Sequence, residues 1–114
     1  MKLWTASYWT HMTDPRTVSI AWKAPGFYKG PTYAKLAPPK DLVLAYKEGS
    51  MPEEVYEAIY RGEVLSKLTP AIIEADLLDE SILLCWERSG FCHRHIVAAW
   101  LVENGIEAEE VTFG

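Results

Sequence analysis

The sequence predicts an α/β fold: a single small open sheet, largely parallel, with helices on both faces in a three-layer, Rossmann-like arrangement. Three observations carry this. Ser81–Cys85 holds an apolar run of strand length, as a strand covered on both faces would. Apolar residues recur at helical spacing within 38–68 and 93–104, between strand-like segments. Strand, helix and strand succeed one another over 81–85, 93–104 and 107–112, a βαβ pattern that makes its strands parallel.

Taken in order, residues 2–8 are rich in aromatic and β-branched types and read as the first strand. Thr10–Arg16 is polar, with Asp14-Pro15 as a turn signal, and is too short and polar for a helix. Thr17–Trp22 is a second strand. Residues 23–37 form a long loop punctuated by Pro25-Gly26 and Gly30-Pro31, and loops of this length in compact domains are usually functional or mobile. Pro38-Pro39 opens a helix through Glu48, with Leu42, Val43 and Tyr46 inward and Gly49 as its stop. Ser50-Met51-Pro52-Glu53 fits a capping box for a helix to about Leu68, with Val55, Tyr56, Ile59, Leu65 and Leu68 as its stripe. Thr69-Pro70 starts a helix over Ala71–Leu78. After the strand at 81–85, Ser89-Gly90 marks a loop. Ile96, Val97, Trp100 and Leu101 then form one helical face, with Gly105 at the C-cap. Glu107–Thr112 alternates as an edge strand.

At 114 residues the chain is one domain, and its hydrophobic content of 49% with five tryptophans suits a packed core. No apolar run approaches a membrane span and no signal-peptide pattern follows Lys2, so the expectation is a cytoplasmic protein without membrane contact. Two cysteines seven positions apart suit free thiols in a reducing compartment; a Cys85–Cys92 disulfide across the loop is the alternative. The net charge is −5, yet residues 15–40 carry Arg16, Lys23, Lys29, Lys35 and Lys40 and no acidic residue. A bulk-acidic chain with one basic segment suggests a local anion site and not a nucleic-acid coat; a solvated loop is the bland reading.

The reactive residues gather after the strand at 81–85. Ligands in open parallel sheets sit outside the carboxyl ends of the strands, which here end at Tyr8-Trp9, Trp22-Lys23 and Cys85-Trp86. Cys92 stands at a helix start beside His93 and Arg94, where dipole and cation favour thiolate; burial as a small hydrophobe is the alternative. Cys85 ends a core strand and reads as packed. Arg94 offers a planar, five-donor group for a phosphate or carboxylate, or else pairs with Glu87. Glu87 is a candidate acid or base if Trp86 desolvates it. Cysteine phosphatases and rhodaneses are disfavoured, because the position that needs arginine, six after Cys85, is Phe91. Cys85, Cys92, His93 and His95, with His11, contain metal-ligand types, but their spacing matches no standard zinc pattern and adjacent ligation by 92 and 93 is awkward. No metal or cofactor is expected. Tyr8, Trp9, Trp22, Tyr28 and Tyr33, with Phe27, interleave with Lys23, Lys29 and Lys35, as stacking on a base beside a phosphate requires, or as a small core requires.

Leu83-Leu84-Cys85, Glu87 and Cys92-His93-Arg94 also resemble the C-terminal signature of the domain-of-unknown-function 488 family: an apolar strand ending L-L-C, an acidic residue, then C-H-R opening a helix. Tyr28-Lys29-Gly30-Pro31-Thr32-Tyr33 and Lys35-Leu36-Ala37-Pro38 are similar to segments of its shorter members, so the resemblance covers nearly the whole chain. It implies an α/β fold more than any activity.

The leading expectation is a pocket at the strand carboxyl ends for a nucleotide-like or other anionic ligand. Arg94 would hold the anion, Cys85, Tyr8, Trp9, Trp22, Lys23, Tyr28, Lys29 and Tyr33 would surround the ligand, and Cys92, His93 and Glu87 would be the groups for chemistry. The alternative is a non-catalytic protein- or nucleic-acid-binding module using segment 15–40. Thiol chemistry at Cys92, with Cys85 resolving, is a third reading. Enzyme or binder, and oligomeric state, stay open at this point.

Overall fold

The computed structural model describes residues 1–113. Four parallel strands, β1 (Lys2–Ser7), β2 (Thr17–Ser19), β3 (Ile82–Cys85) and β4 (Glu107–Glu110), form one open sheet in the order β2-β3-β1-β4. β3 and β1 are central, and β3 is buried at every position, which is why its sequence reads as unbroken apolar. β4 is an outer strand, and its glutamates keep that edge from pairing further.

Register decides which residues share a face. Leu3, Val18 and Leu83 point to the larger core. There they meet α3 (Glu53–Glu63) through Tyr56 and Tyr60, α4 (Pro70–Asp76) through Ile73, and α5 (His93–Glu103) through Ile96, Val97 and Leu101. Trp4, Ala6, Ile82 and Leu84 point to the other face. That face carries the one-turn helix α1 (Tyr8–His11), Tyr28 from the long loop, and the C-terminal Val111 and Phe113. Helices thus lie on both faces, but unequally. The strand order accounts for this: right-handed crossovers that step in opposite directions along a parallel sheet lie on opposite faces, and only β1→β2 steps one way.

Several boundaries differ from expectation. The first strand stops at Ser7, and a single helical turn over Tyr8–His11 follows, capped by Ser7, which accepts from Trp9 N; of the polar segment only Thr10 and His11 are helical. β2 ends at Ser19, although Ile20 N still donates to Leu84 O, and Pro31–Tyr33 covers its outer edge through Ser19 N→Pro31 O and Tyr33 N→Ser19 O. The capping box at 50–53 does not form: the Ser50 hydroxyl donates back to Ala45 O of α2 (Lys40–Lys47), and Pro52 takes the N-cap. α3 ends at Glu63, with a 3₁₀ turn over Leu65–Lys67. Thr69 caps α4 as expected, accepting from Ile72 N.

Candidate functional site

A cavity of about 290 Å³ opens beyond the carboxyl ends of β2 and β3. Its lining includes Trp22 and Lys23 from the chain leaving β2, Trp86 after β3, Tyr46 of α2, Tyr56 of α3 and Phe91. Trp86 Nε1 donates to Lys23 O (2.7 Å), tying the two post-strand segments together. Phe91 packs against both tyrosines, at ring centroid separations of 4.9 and 5.1 Å. Cys85, Cys92 and His93 also line the cavity, with Glu87 and Lys47.

The loop 86–92 turns through Gly90 at φ 78°, a conformation that costs glycine little, and returns Cys92 to Cys85. The two cysteines form a disulfide, with Cα atoms 7.0 Å apart. This corrects the expectation of free thiols and suspends the lowered-pKa reading of Cys92 until the bond is reduced.

Cys92 is the N-cap of α5 and still extended (φ −154°, ψ 146°), whereas His93 is its first helical residue. That change of conformation lets neighbouring side chains face the same space. The imidazole is buried under the sheet end. Its Nε2 lies 2.7 Å from Ile20 O, an atom that only accepts, so Nε2 carries the proton. Nδ1 therefore presents its lone pair to the sulfurs, 3.3 Å from Cys85 Sγ and 4.0 Å from Cys92 Sγ. Burial holds the imidazole pKa down to about 4, against the opposing bond to Ile20 O. Burial also raises the Tyr56 hydroxyl, with the Glu87 carboxylate adding to it. Both tyrosine and histidine are neutral at pH 7.

Arg94 is not in this cavity. Its guanidinium is 1% exposed and reaches Glu110 through Nε and Nη2 (2.9 Å), while Nη1 donates to Glu87 O at 2.6 Å. Glu110 also accepts from Thr5 Oγ1, its neighbour across β1 and β4. All the geometry is inward, so the residue expected to hold an anion instead joins α5, β4 and the post-β3 loop. The alternative, a side-chain pair with Glu87, is also corrected: only the Glu87 backbone carbonyl takes part.

The remaining expected ligand residues scatter. Tyr8 is buried beneath the sheet, sharing a hydrogen bond with Ser19 Oγ, and braces Trp86 edge-on. Tyr28 is buried beside it, donating to Pro31 O. Trp9 is exposed and packs against Phe27 and Trp86. Lys29 is exposed, with Nζ 3.5 Å from Gly26 O. Tyr33 donates to Asp76 at 2.6 Å, and Lys35 bonds the same carboxylate. The burial and tethering of Tyr8, Tyr28 and Tyr33 take them out of the cavity wall. Conversely, Tyr46, Tyr56, Phe91 and Lys47 enter the site without having been assigned to it; Tyr46 and Tyr56 read as core stripe, and only their hydroxyls hinted at a wet end.

No family model, curated protein or solved structure matches the chain.

Proposed function

We propose that the cavity binds a small planar ligand carrying an anionic group, nucleotide-like in shape. The observation that carries the reading is the aromatic lining, Trp22, Trp86, Tyr46 and Tyr56, with Lys23 and Lys47 lining the same space. Aromatic faces take a planar ring, and flexible ammonium groups take a phosphate or carboxylate without demanding fixed geometry. His93, Glu87 and, once reduced, Cys92 are the groups available for chemistry on such a ligand. The resemblance to the domain-of-unknown-function 488 family is part of the same proposal: of the residues that carry it, Pro38, Cys85, Glu87, Cys92 and His93 line this cavity, while Arg94 and residues 28–33 do not.

Thermal unfolding against nucleotides, nucleosides and sugar phosphates tests the reading. A ligand at 100 times its Kd adds about 2.7 kcal/mol of stability, and Trp22→Ala or Lys47→Ala should remove most of the resulting shift. No shift with any of these compounds, or one indifferent to both substitutions, overturns it.

A second reading, a protein- or nucleic-acid-binding surface on segment 15–40, draws on its exposed Trp22 and Phe27, the latter packed on Trp9 from outside the segment. It is the weaker one, because Arg16 and Lys35 are engaged by Asp14 and Asp76.

A further inference from the structure

We propose that, once its disulfide is reduced, the protein binds one zinc ion through Cys85 Sγ, Cys92 Sγ and His93 Nδ1, leaving the fourth position open to the cavity. This goes beyond the ligand reading and does not depend on it. The three ligand atoms lie within 4.8 Å of one another, and all three residues are buried. Tetrahedral zinc, with bonds of about 2.3 Å to sulfur and 2.0–2.1 Å to nitrogen, holds S and N about 3.5 Å apart. With the disulfide closed, the separations from Nδ1, 3.3 and 4.0 Å, bracket that value, and on reduction the two sulfurs, bonded here, have to part to about 3.8 Å to share one zinc. Nδ1 is also oriented as a ligand should be: the opposite ring nitrogen donates to a backbone carbonyl, Ile20 O, which fixes both tautomer and ring plane. The sequence-level objection to neighbouring ligands at 92 and 93 falls away, because the chain passes from extended to helical between them.

Two thiolates neutralise a divalent cation, so the buried centre carries no net charge from metal and sulfurs together. Three protein ligands and one open position form the pattern of catalytic zinc sites, not of closed structural ones. A dithiol reductant transfers two electrons to the Cys85–Cys92 bond, leaving two thiols and its own cyclic disulfide. Zinc then replaces the two thiol protons, which pass to solvent. A disulfide oxidant such as oxidised dithiothreitol would take two electrons from the two thiolates, becoming a dithiol itself, while the Cys85–Cys92 bond closes and zinc leaves to solvent, so the same three residues have two mutually exclusive states.

The test uses the full chain, reduced with dithiothreitol and desalted without oxygen. Cobalt(II) serves as the spectroscopic probe and zinc as its competitor. The expected result is one cobalt per chain, with tetrahedral d–d bands and thiolate-to-cobalt charge transfer, displaced by one equivalent of zinc. The oxidised protein should bind at least 100-fold more weakly. Cys85→Ser and Cys92→Ser should each weaken binding more than 10-fold and lower the charge-transfer intensity, while His11→Gln, away from the cluster, leaves both unchanged. X-ray absorption of the zinc form of the wild type, expected to give two sulfur and one imidazole neighbour, keeps the question answerable if a cysteine variant does not fold. Absence of thiolate charge transfer in the reduced wild type, equal binding by the oxidised protein, or an all-oxygen-and-nitrogen shell overturns the proposal. Nucleotide binding by the oxidised protein tests the other reading alone, so either can fail while the other stands.

Discussion

Arg94 shows how a side chain at a helix start can serve structure where chemistry was expected. Its donors meet Glu110 and the Glu87 carbonyl, and the carboxylate is itself 41% exposed. Arg94→Ala should therefore cost about 2–3 kcal/mol, below the usual range for a broken buried pair because water can reach the abandoned Glu110. Urea unfolding would measure it. Ligand shifts should survive in the folded fraction, since the guanidinium does not line the cavity. The pair also has a pH signature. Burial pushes the Glu110 carboxyl up, but the bonds from Arg94 and Thr5 outweigh it, and the folded pKa lies below the ordinary 4.5. A depressed carboxyl contributes stability that is present above the unfolded pKa and lost as pH falls through the folded one. Wild type should lose stability below about pH 4.5 more steeply than Glu110→Gln, which starts lower at pH 7. Parallel acid limbs in the two proteins would refute this. Arg94's role was not readable in sequence because Glu110 comes sixteen residues later, carried alongside by the β3–α5–β4 crossover.

At the scale of the element, the strands and the long helices were legible, the central strand and α5 through burial and the edge strand β4 through alternation. Ile82–Cys85 is apolar throughout because both faces are covered, and α5 declares itself through Ile96, Val97 and Leu101. Its end is equally explicit. Gly105 has φ 83°, Ile106 N donates to Leu101 O, and a Cβ at Gly105 would meet open space. Gly105→Ala should thus cost about 1 kcal/mol from backbone conformation alone. A much larger loss in thermal unfolding would mean a contact that the geometry lacks. α1 was not legible, because a single turn held by the Ser7 cap has no periodicity to read. The cavity was half legible for a related reason. Trp22, Lys23, Cys85, Glu87, Cys92 and His93 follow strand ends or open a helix, positions that point to a site in any parallel sheet. Tyr46 and Tyr56 arrive from helices on the β2–β3 crossover, and only tertiary packing selects their faces.

At the scale of the molecule, one covalent link joins the carboxyl end of central strand β3 to the start of α5, beside the hydrogen bond from His93 to Ile20 O. β3, β2 and α5 are therefore held together at the cavity by bonds that reduction would partly release. A cross-link closing so short a loop, 85–92, removes about 2.5 kcal/mol of unfolded-state entropy on the chain-entropy model. Reduction should lower Tm by about 5–15 °C in a chain of this size, as should Cys85→Ser with Cys92→Ser. Release of the link should cost stability while leaving the far-UV circular dichroism of the sheet and α3 unchanged, because their packing through Leu3, Tyr60 and Leu83 is independent of the loop. Zinc added to the reduced wild type should restore part of the lost Tm, and added to the double serine variant should not, since metal and disulfide would fasten the same two strand and helix ends. A Tm indifferent to reductant would mean that His93 and the packing around α5 hold this end closed by themselves.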